Sequence, residues 1–423
     1  MKKTTRIKKN HRLIVLQKLI ITSAVIGFLS ALLGNTLKKI TEHYEAIFFT
    51  LAQQHWLLYL LFPILGFSII YFLRQTLFRK KENKGIKEIY ESTESKNKNL
   101  PAYKVSSHFL NGLITVIFGG STGIEVSTVV ASAAIGSVVQ QKENLFKRYK
   151  TQLICAGIAS GITALFGSPF AGLIFAYEVI SRKWSRSFLL TNGVAVAVAF
   201  AFTYFVDNQP LFNINVLPWQ LHALPYMILL GMIAGVNAVY LNRCVLLFKK
   251  KFAEIDQHHF RIIIGAGLVS LALLVFPQLY GEGYHAVKEL TLQSGNLTLT
   301  VSLAATLVFV ILLKPIVTSL TLVSGGDGGV FAPSLFIGAF LGLLTASVLN
   351  TFFHANVLPI NFMVIGMAAM LSASIHAPFT ALFLVCEAIG DYTLFFPILM
   401  VCLVSKTTAK FIYPYTVYSY SRV

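Results

Sequence analysis

Charge is the scarcest property of this chain: Asp, Glu, Lys and Arg make up 12% of its 423 residues, against 55% hydrophobic ones. So little charge excludes an ordinary soluble surface, and a mean hydropathy of +0.69 assigns the chain to lipid. Cysteine is nearly absent. The four present (Cys155, Cys244, Cys386, Cys402) lie in apolar segments without paired spacing, which excludes a disulfide framework and a zinc site. Neither a His-Glu-x-x-His motif nor paired intramembrane aspartates occur, so neither an enzyme nor a cofactor is expected. His258-His259, beside Lys249 to Lys251, reads as a solvated loop. Acidic residues are few, 17 against 35 Lys and Arg, but the net charge of +18 does not mark a nucleic-acid binder. The basic residues stand in short runs between apolar segments, as cytoplasmic loops do.

Apolar runs cover roughly 13–37, 56–73, 109–139, 153–180, 188–206, 221–248, 262–276, 299–323, 330–348, 357–389 and 394–412. Many are long enough to span a bilayer. The first is too long for a signal-peptide core and reads as a retained helix. It follows Lys2, Lys3, Arg6, Lys8 and Lys9, whereas 41–58 holds no Lys or Arg, so the N-terminus is expected in the cytoplasm of a multi-pass inner-membrane protein. Basic stretches at Arg74–Lys104 and Lys142–Lys150 flank a single apolar run, which must enter and leave on one side. Two half-helices meeting at Gly119-Gly120-Ser121-Thr122-Gly123 would do this, and the next run repeats the anomaly with a break near Gly161 to Pro169. Non-helical backbone at membrane depth requires burial in protein or a cavity.

A repeat organises the chain. Gly119 to Ser127 recurs as Gly325-Gly326-Asp327-Gly328-Gly329-Val330-Phe331-Ala332-Pro333, 206 residues on. Ser168-Pro169-Phe170-Ala171-Gly172-Leu173 recurs as Ala377-Pro378-Phe379-Thr380-Ala381-Leu382, 209 residues on, with Glu178 and Glu387 in step. Interrupted helices in matched positions predict an all-α integral membrane protein, an inverted repeat of tilted and broken transmembrane helices with its site at the repeat interface. A parallel repeat is the alternative. The expected division of the single domain is 1–104 for N-terminal helices and a cytoplasmic loop, 105–206 for the first repeat core and 221–423 for the second.

Each Gly-rich break precedes a helical stretch, whose unpaired N–H groups and positive dipole end favour an anion. Glycines that merely permit close helix packing are the plainer alternative. Pro333 suits a first helical turn. Glu125 is the one Asp, Glu, Lys or Arg side chain between Lys104 and Lys142. A carboxylate beside two helix N-termini can occupy the anion site and leave it on protonation, acting as gate and proton acceptor.

These motifs resemble the CLC family of chloride channels and chloride/proton antiporters. Gly123-Ile124-Glu125-Val126-Ser127 resembles the family's Gly-x-Glu-Gly-Pro motif, and Gly329-Val330-Phe331-Ala332-Pro333 its Gly-x-Phe-x-Pro motif, within a similarity over about residues 80–420. The resemblance implies a homodimer in lipid, each subunit with its own anion pathway, with Glu125 as the external gate. It also implies that the Val330 and Phe331 N–H groups hold the ion beside Gly123, Ile124 and Gly329, with the Tyr418 hydroxyl donating to it. Tyr418 stands among Tyr413, Tyr415 and Tyr420, so an interfacial aromatic belt is its other reading. The chain's end at Val423, just past Tyr418, leads to the expectation of no regulatory cytoplasmic domain.

The departures bear on mechanism. The family's Gly-Ser-Gly-Ile-Pro motif has one counterpart, Asn83-Lys84-Gly85-Ile86-Lys87, which puts Lys84 where a serine meets the anion. Lys84, Gly85 and Ile86 are therefore expected to line the anion site, with an ordinary cytoplasmic lysine as the alternative for Lys84. Val126 and Ser127 replace Gly and Pro after the gate, and β-branched Val is the stiffer residue. Val179 follows Glu178 where coupled members often carry a second proton-handling glutamate. Together these favour passive or weakly proton-coupled movement of a small anion, most readily chloride. Anion/proton antiport of chloride or fluoride is the alternative, and an intramembrane enzyme or scaffold a remote one.

Overall fold

The computed structural model describes residues 2–420 except 82, 96, 143, 208, 256 and 294–298; the side chains of the basic leader and of His258 lie outside the described residues. Sixteen α-helices occur among the described residues, with no strand. The first eight are α1 (Lys2–Gln54), α2 (Leu58–Thr76), α3 (Ile86–Glu94), α4 (Tyr103–Ile117), α5 (Glu125–Gln140), α6 (Lys150–Phe166), α7 (Pro169–Phe175) and α8 (Arg186–Val206). The second eight are α9 (Leu224–Ala253), α10 (His258–Val275), α11 (Tyr284–Gln293), α12 (Val301–Val323), α13 (Phe331–Phe353), α14 (Pro359–Ile375), α15 (Pro378–Ile389) and α16 (Phe395–Ile412). Seven helices are long and apolar enough to cross a membrane. The chain is a multi-pass membrane protein.

Helix ends fall where local chemistry puts them. Gly167 closes α6 and His376 closes α14, both in the left-handed region (φ 64° and 55°), and Pro169 and Pro378 then start α7 and α15 where a missing N–H costs nothing. The break expected between Gly161 and Pro169 is thus confined to Gly167-Ser168, and α6 runs unbroken through Gly161. The first helix extends well past the 13–37 run: α1 continues to Gln54, about 80 Å at roughly 1.5 Å per residue. Its polar residues are accommodated along the way, since Asn35 Nδ2 donates to Thr203 Oγ1 (2.9 Å) and Lys38 pairs with Asp207 (2.8 Å) on the α8 side.

Packing reproduces the repeat. α5 on α6, α6 on α8, α1 on α8 and α1 on α6 correspond to α13 on α14, α14 on α16, α9 on α16 and α9 on α14, while α2 meets α10 and α7 meets α15 across the middle. These matched contacts take in twelve of the sixteen helices, α1 and α2 among them. Small residues set the closest crossing: a Cβ on Gly338 of α13 would stand 2.3 Å from the Gly366 carbonyl oxygen of α14, and one on Gly366 2.2 Å from that of Gly338. Such backbone contact is the usual means of helix association in lipid.

Candidate functional site

The two Gly-rich breaks meet each other. Gly123 and Gly329 form an isolated antiparallel bridge, so the two segments run in opposite directions where they touch, as two repeats related by a twofold axis do when they cross it. Two reciprocal hydrogen bonds lock the crossing: Ser121 N–H donates to Thr321 Oγ1 of α12 (3.0 Å), and Asp327 N–H donates to Thr115 Oγ1 of α4 (2.9 Å). Thr122 Oγ1 adds a bond to the Gly329 carbonyl at 2.8 Å. Side chains are excluded at the bridge itself, since a Cβ on Gly329 would stand 2.2 Å from Val126 Cγ2. The crossing brings the N-termini of α5 and α13 to one point, where their free N–H groups and dipoles sum.

Glu125, the first residue of α5, is 2% exposed at this point. Its Oε1 accepts from the Tyr284 hydroxyl at 2.7 Å, while its Oε2 is buried beside Gly123 and the first turns of α5 and α13 without a hydrogen-bond partner. An anionic group thus already occupies the meeting point of the helix ends. Tyr284 was not foreseen from the sequence; it is placed by a chain of buried polar contacts. Lys314 of α12, fully buried, reaches the carbonyls of Leu279, Gly281 and Glu282 (3.2–3.5 Å) and lies over the Phe336 ring at 4.5 Å. Glu282 N–H donates to Glu45 Oε1 of α1, and Glu282 Oε1 accepts from Ile124 N–H, each at 3.1 Å. The 279–283 turn is thereby fixed against α12, α1 and the first break. The Ile124 N–H expected to face the anion is engaged by Glu282 instead, because a buried carboxylate stands within reach of it.

The remaining expected site residues divide. Val330 and Phe331 open α13, and Tyr418 is 5% exposed with a hydroxyl that has no hydrogen-bond partner and faces the Val330 backbone. A buried hydroxyl there is not part of an interfacial belt, whereas Tyr415 meets Tyr413 and Tyr420 edge to face. Phe331 turns its ring between Phe166 and Phe175, leaving its backbone at the site. Gly85 takes φ +62° to start α3 and Ile86 is buried behind it. Lys84 is exposed, with its N–H capped by Glu88 Oε1. Its side chain nevertheless lines a cavity of about 120 Å³ with Lys87, Val126, Asp327, Val330 and Tyr418. A wider vestibule of about 950 Å³ shares Asn83, Lys84, Lys87, Lys249 and Val417 with it and adds Arg243 and Lys250. The five cations give these two connected cavities a positively charged lining on the way to Val330 and Tyr418.

The second repeated motif serves structure. Glu178 accepts from the Thr380 N–H (2.8 Å) and Oγ1 (2.7 Å) at the start of α15, while Glu387 accepts from the Ser168 hydroxyl and lies against the N–H groups of Phe170 and Ala171 at the start of α7. Each carboxylate caps the other repeat's helix. Val179 is buried, its carbonyl accepting from the Tyr90 hydroxyl at 3.1 Å.

The family profile described as voltage gated chloride channel matches residues 65–410. The chain belongs to this family, the CLC proteins. Curated relatives include the H(+)/Cl(-) exchange transporters ClcA of Citrobacter koseri, 25% identical over 414 residues (93% of this chain, 85% of the relative), and of Vibrio parahaemolyticus, 27% identical over 380 residues (86% and 79%). Among solved structures, a CLC-type fluoride/proton antiporter matches with TM-score 0.80 at 24% identity, covering 95% of this chain and 97% of its own. A slow cyanobacterial Cl-/H+ antiporter matches with TM-score 0.82 at 21% identity, covering 95% and 96%. The inverted-repeat CLC fold and membership of an anion-transporting family are therefore established for this chain. The CLC relatives are transporters, and those named are exchangers rather than passive channels.

Proposed function

We propose that this CLC protein is a proton-coupled antiporter of a small anion, most directly chloride, with Glu125 serving as gate and proton acceptor. The observation that carries the reading is the Glu125 carboxylate at the junction of the α5 and α13 N-termini, where it competes with the transported anion for the same helix ends. Displacement of the carboxylate by an anion, and its return without or with a proton, ties the two movements together. Val330, Phe331 and Gly329 supply backbone to the bound ion and Tyr418 its hydroxyl, while the Lys84, Lys87 and Lys249 funnel feeds it from the cytoplasmic side. Coupled exchange replaces the passive reading drawn from Val126 and Val179, because the relatives named above are exchangers.

Fluoride is the second reading. It is favoured by the match to the fluoride/proton antiporter and by the atypical Asn83 to Lys87 segment. The proposed setting is the cytoplasmic membrane, with the basic leader inside and two copies forming a dimer. Reconstitution in liposomes with chloride or fluoride gradients tests the proposal: uphill proton movement driven by either ion supports antiport and names the ion, and anion flux without protons overturns it.

A further inference from the structure

Antiport requires a proton route from the cytoplasmic side to Glu125, and the CLC position for it carries Val179, while the neighbouring Glu178 is committed to capping α15. The wall of the 120 Å³ cavity holds a different acid. Asp327 is 5% exposed, an anionic side chain inside a cavity otherwise built for anions. Its N–H is fixed by Thr115, its Oδ2 accepts from Asn83 Nδ2 at 2.7 Å, and the same oxygen lies 2.7 Å from Nδ1 of His108. His108, on α4, is fully buried; its Nδ1 meets Asp327 at ion-pair distance without hydrogen-bond alignment, and its Nε2 has no hydrogen-bond partner. Resting on the antiport reading, we infer that Asp327 and His108 together form the cytoplasmic proton-loading site of this transporter, in place of the missing glutamate at Val179.

The surroundings suit that role. The cationic side chains facing the pair are Lys84, Lys87 and Lys249 along the cavity, Lys104 of α4, which is bound to Glu88 (2.8 Å) and Asn83 (3.2 Å), and Arg74 of α2, which donates to the Gly325 carbonyl at 3.1 Å; Tyr418 lies on the far wall. Lys104 is tied to Glu88, and Arg74 is directed at backbone, so the nitrogen base in contact with the Asp327 carboxylate is the His108 imidazole. Histidine is the side chain whose charge changes most readily around neutral pH. A hydronium ion of the cytoplasmic water gives its proton to the pair: one O–H bond of hydronium breaks, leaving water, and one N–H or O–H bond forms on the pair. That bond breaks when the proton passes to the Glu125 carboxylate swung into the Val330–Tyr418 site, and the pair returns to its starting charge. Asp327 stands two residues before Gly329, which is bridged to Gly123 beside the gate.

The test uses the full chain in liposomes, recording chloride and proton flux together for wild type, Asp327→Asn and His108→Gln at several internal pH values. The expected result is anion flux retained within a few fold, proton-to-anion ratio reduced at least tenfold in Asp327→Asn, and the internal pH dependence of proton flux flattened in His108→Gln. Both variants transporting protons at the wild-type ratio and pH profile would overturn the inference while leaving antiport intact. Loss of both fluxes in both variants would also overturn it, since the pair would then be holding the pathway open. Wild type moving no protons would refute the antiport reading itself.

Discussion

Removing the Tyr284 hydroxyl isolates the contact that holds Glu125 in the anion site. The perturbation, Tyr284→Phe, deletes one oxygen from a ring that is 8% exposed and leaves the 279–283 turn to Lys314 and Glu45. The lost bond, 2.7 Å from a buried carboxylate, is charge-assisted, and such bonds contribute about 1.5–3 kcal/mol. At about 1.4 kcal/mol per tenfold, the occupancy of the site by Glu125 falls roughly 10- to 150-fold relative to the displaced state. Because the carboxylate and the transported ion claim the same helix ends, apparent anion affinity rises as the competing state is depopulated, up to the same factor. Isothermal titration of chloride and fluoride into purified protein in detergent measures it, with Glu125→Gln as the reference in which competition by charge is removed. Tighter binding in Tyr284→Phe, and no additional gain when it is combined with Glu125→Gln, is expected. Unchanged or weaker binding in a variant of normal thermal stability would refute the competition.

Valine at Gly366 puts side-chain atoms into the Gly338 carbonyl and is expected to cost about 1–3 kcal/mol or more, read as a lowered melting temperature in detergent. Glu178→Ala strips the Thr380 N–H and hydroxyl of their acceptor and is expected to destabilise by about 1–3 kcal/mol while leaving the proton-to-anion ratio at the wild-type value, which separates capping from proton handling in paired stability and flux assays. Lys84→Ser removes an exposed cation from the funnel, so anion affinity is expected to fall by less than about tenfold, with the difference vanishing at high ionic strength; an effect that persists in molar salt would place the ammonium at the bound ion instead.

The broken helices were legible because the signals that end a helix in lipid are few and local. Gly167, Pro169 and Pro378 act on their own neighbours, and the matched spacing of 206 and 209 residues made chance similarity a poor account. Glu125 was legible for a related reason, a lone charge where charge is costly. Lys314 carried the same signal, being the one charged side chain in the 299–323 run, and it turned out to fix the turn that positions Tyr284. What the sequence did not disclose were contacts made across the repeat. Tyr284 meets a carboxylate 159 positions away and Glu282 takes the Ile124 N–H from 158 positions away, and no local pattern encodes either distance. The Asp327–His108 contact was hidden likewise, because each residue reads alone as a polar interruption of a glycine motif or a helix. The length of α1 was underestimated because Lys38 and Glu45, held by Asp207 and the Glu282 N–H, interrupt its apolar run before Phe48 and Phe49 resume packing on Phe62, Phe118 and Tyr280.

The central claim is that one carboxylate, Glu125, links anion movement to proton movement. Its most direct test is simultaneous recording of anion efflux and proton influx in liposomes under an outward anion gradient, for wild type and Glu125→Gln. Uphill proton movement in wild type that disappears in Glu125→Gln while anion flux continues is the predicted result. Anion flux in wild type with no proton movement, or proton pumping that survives in Glu125→Gln, would contradict it.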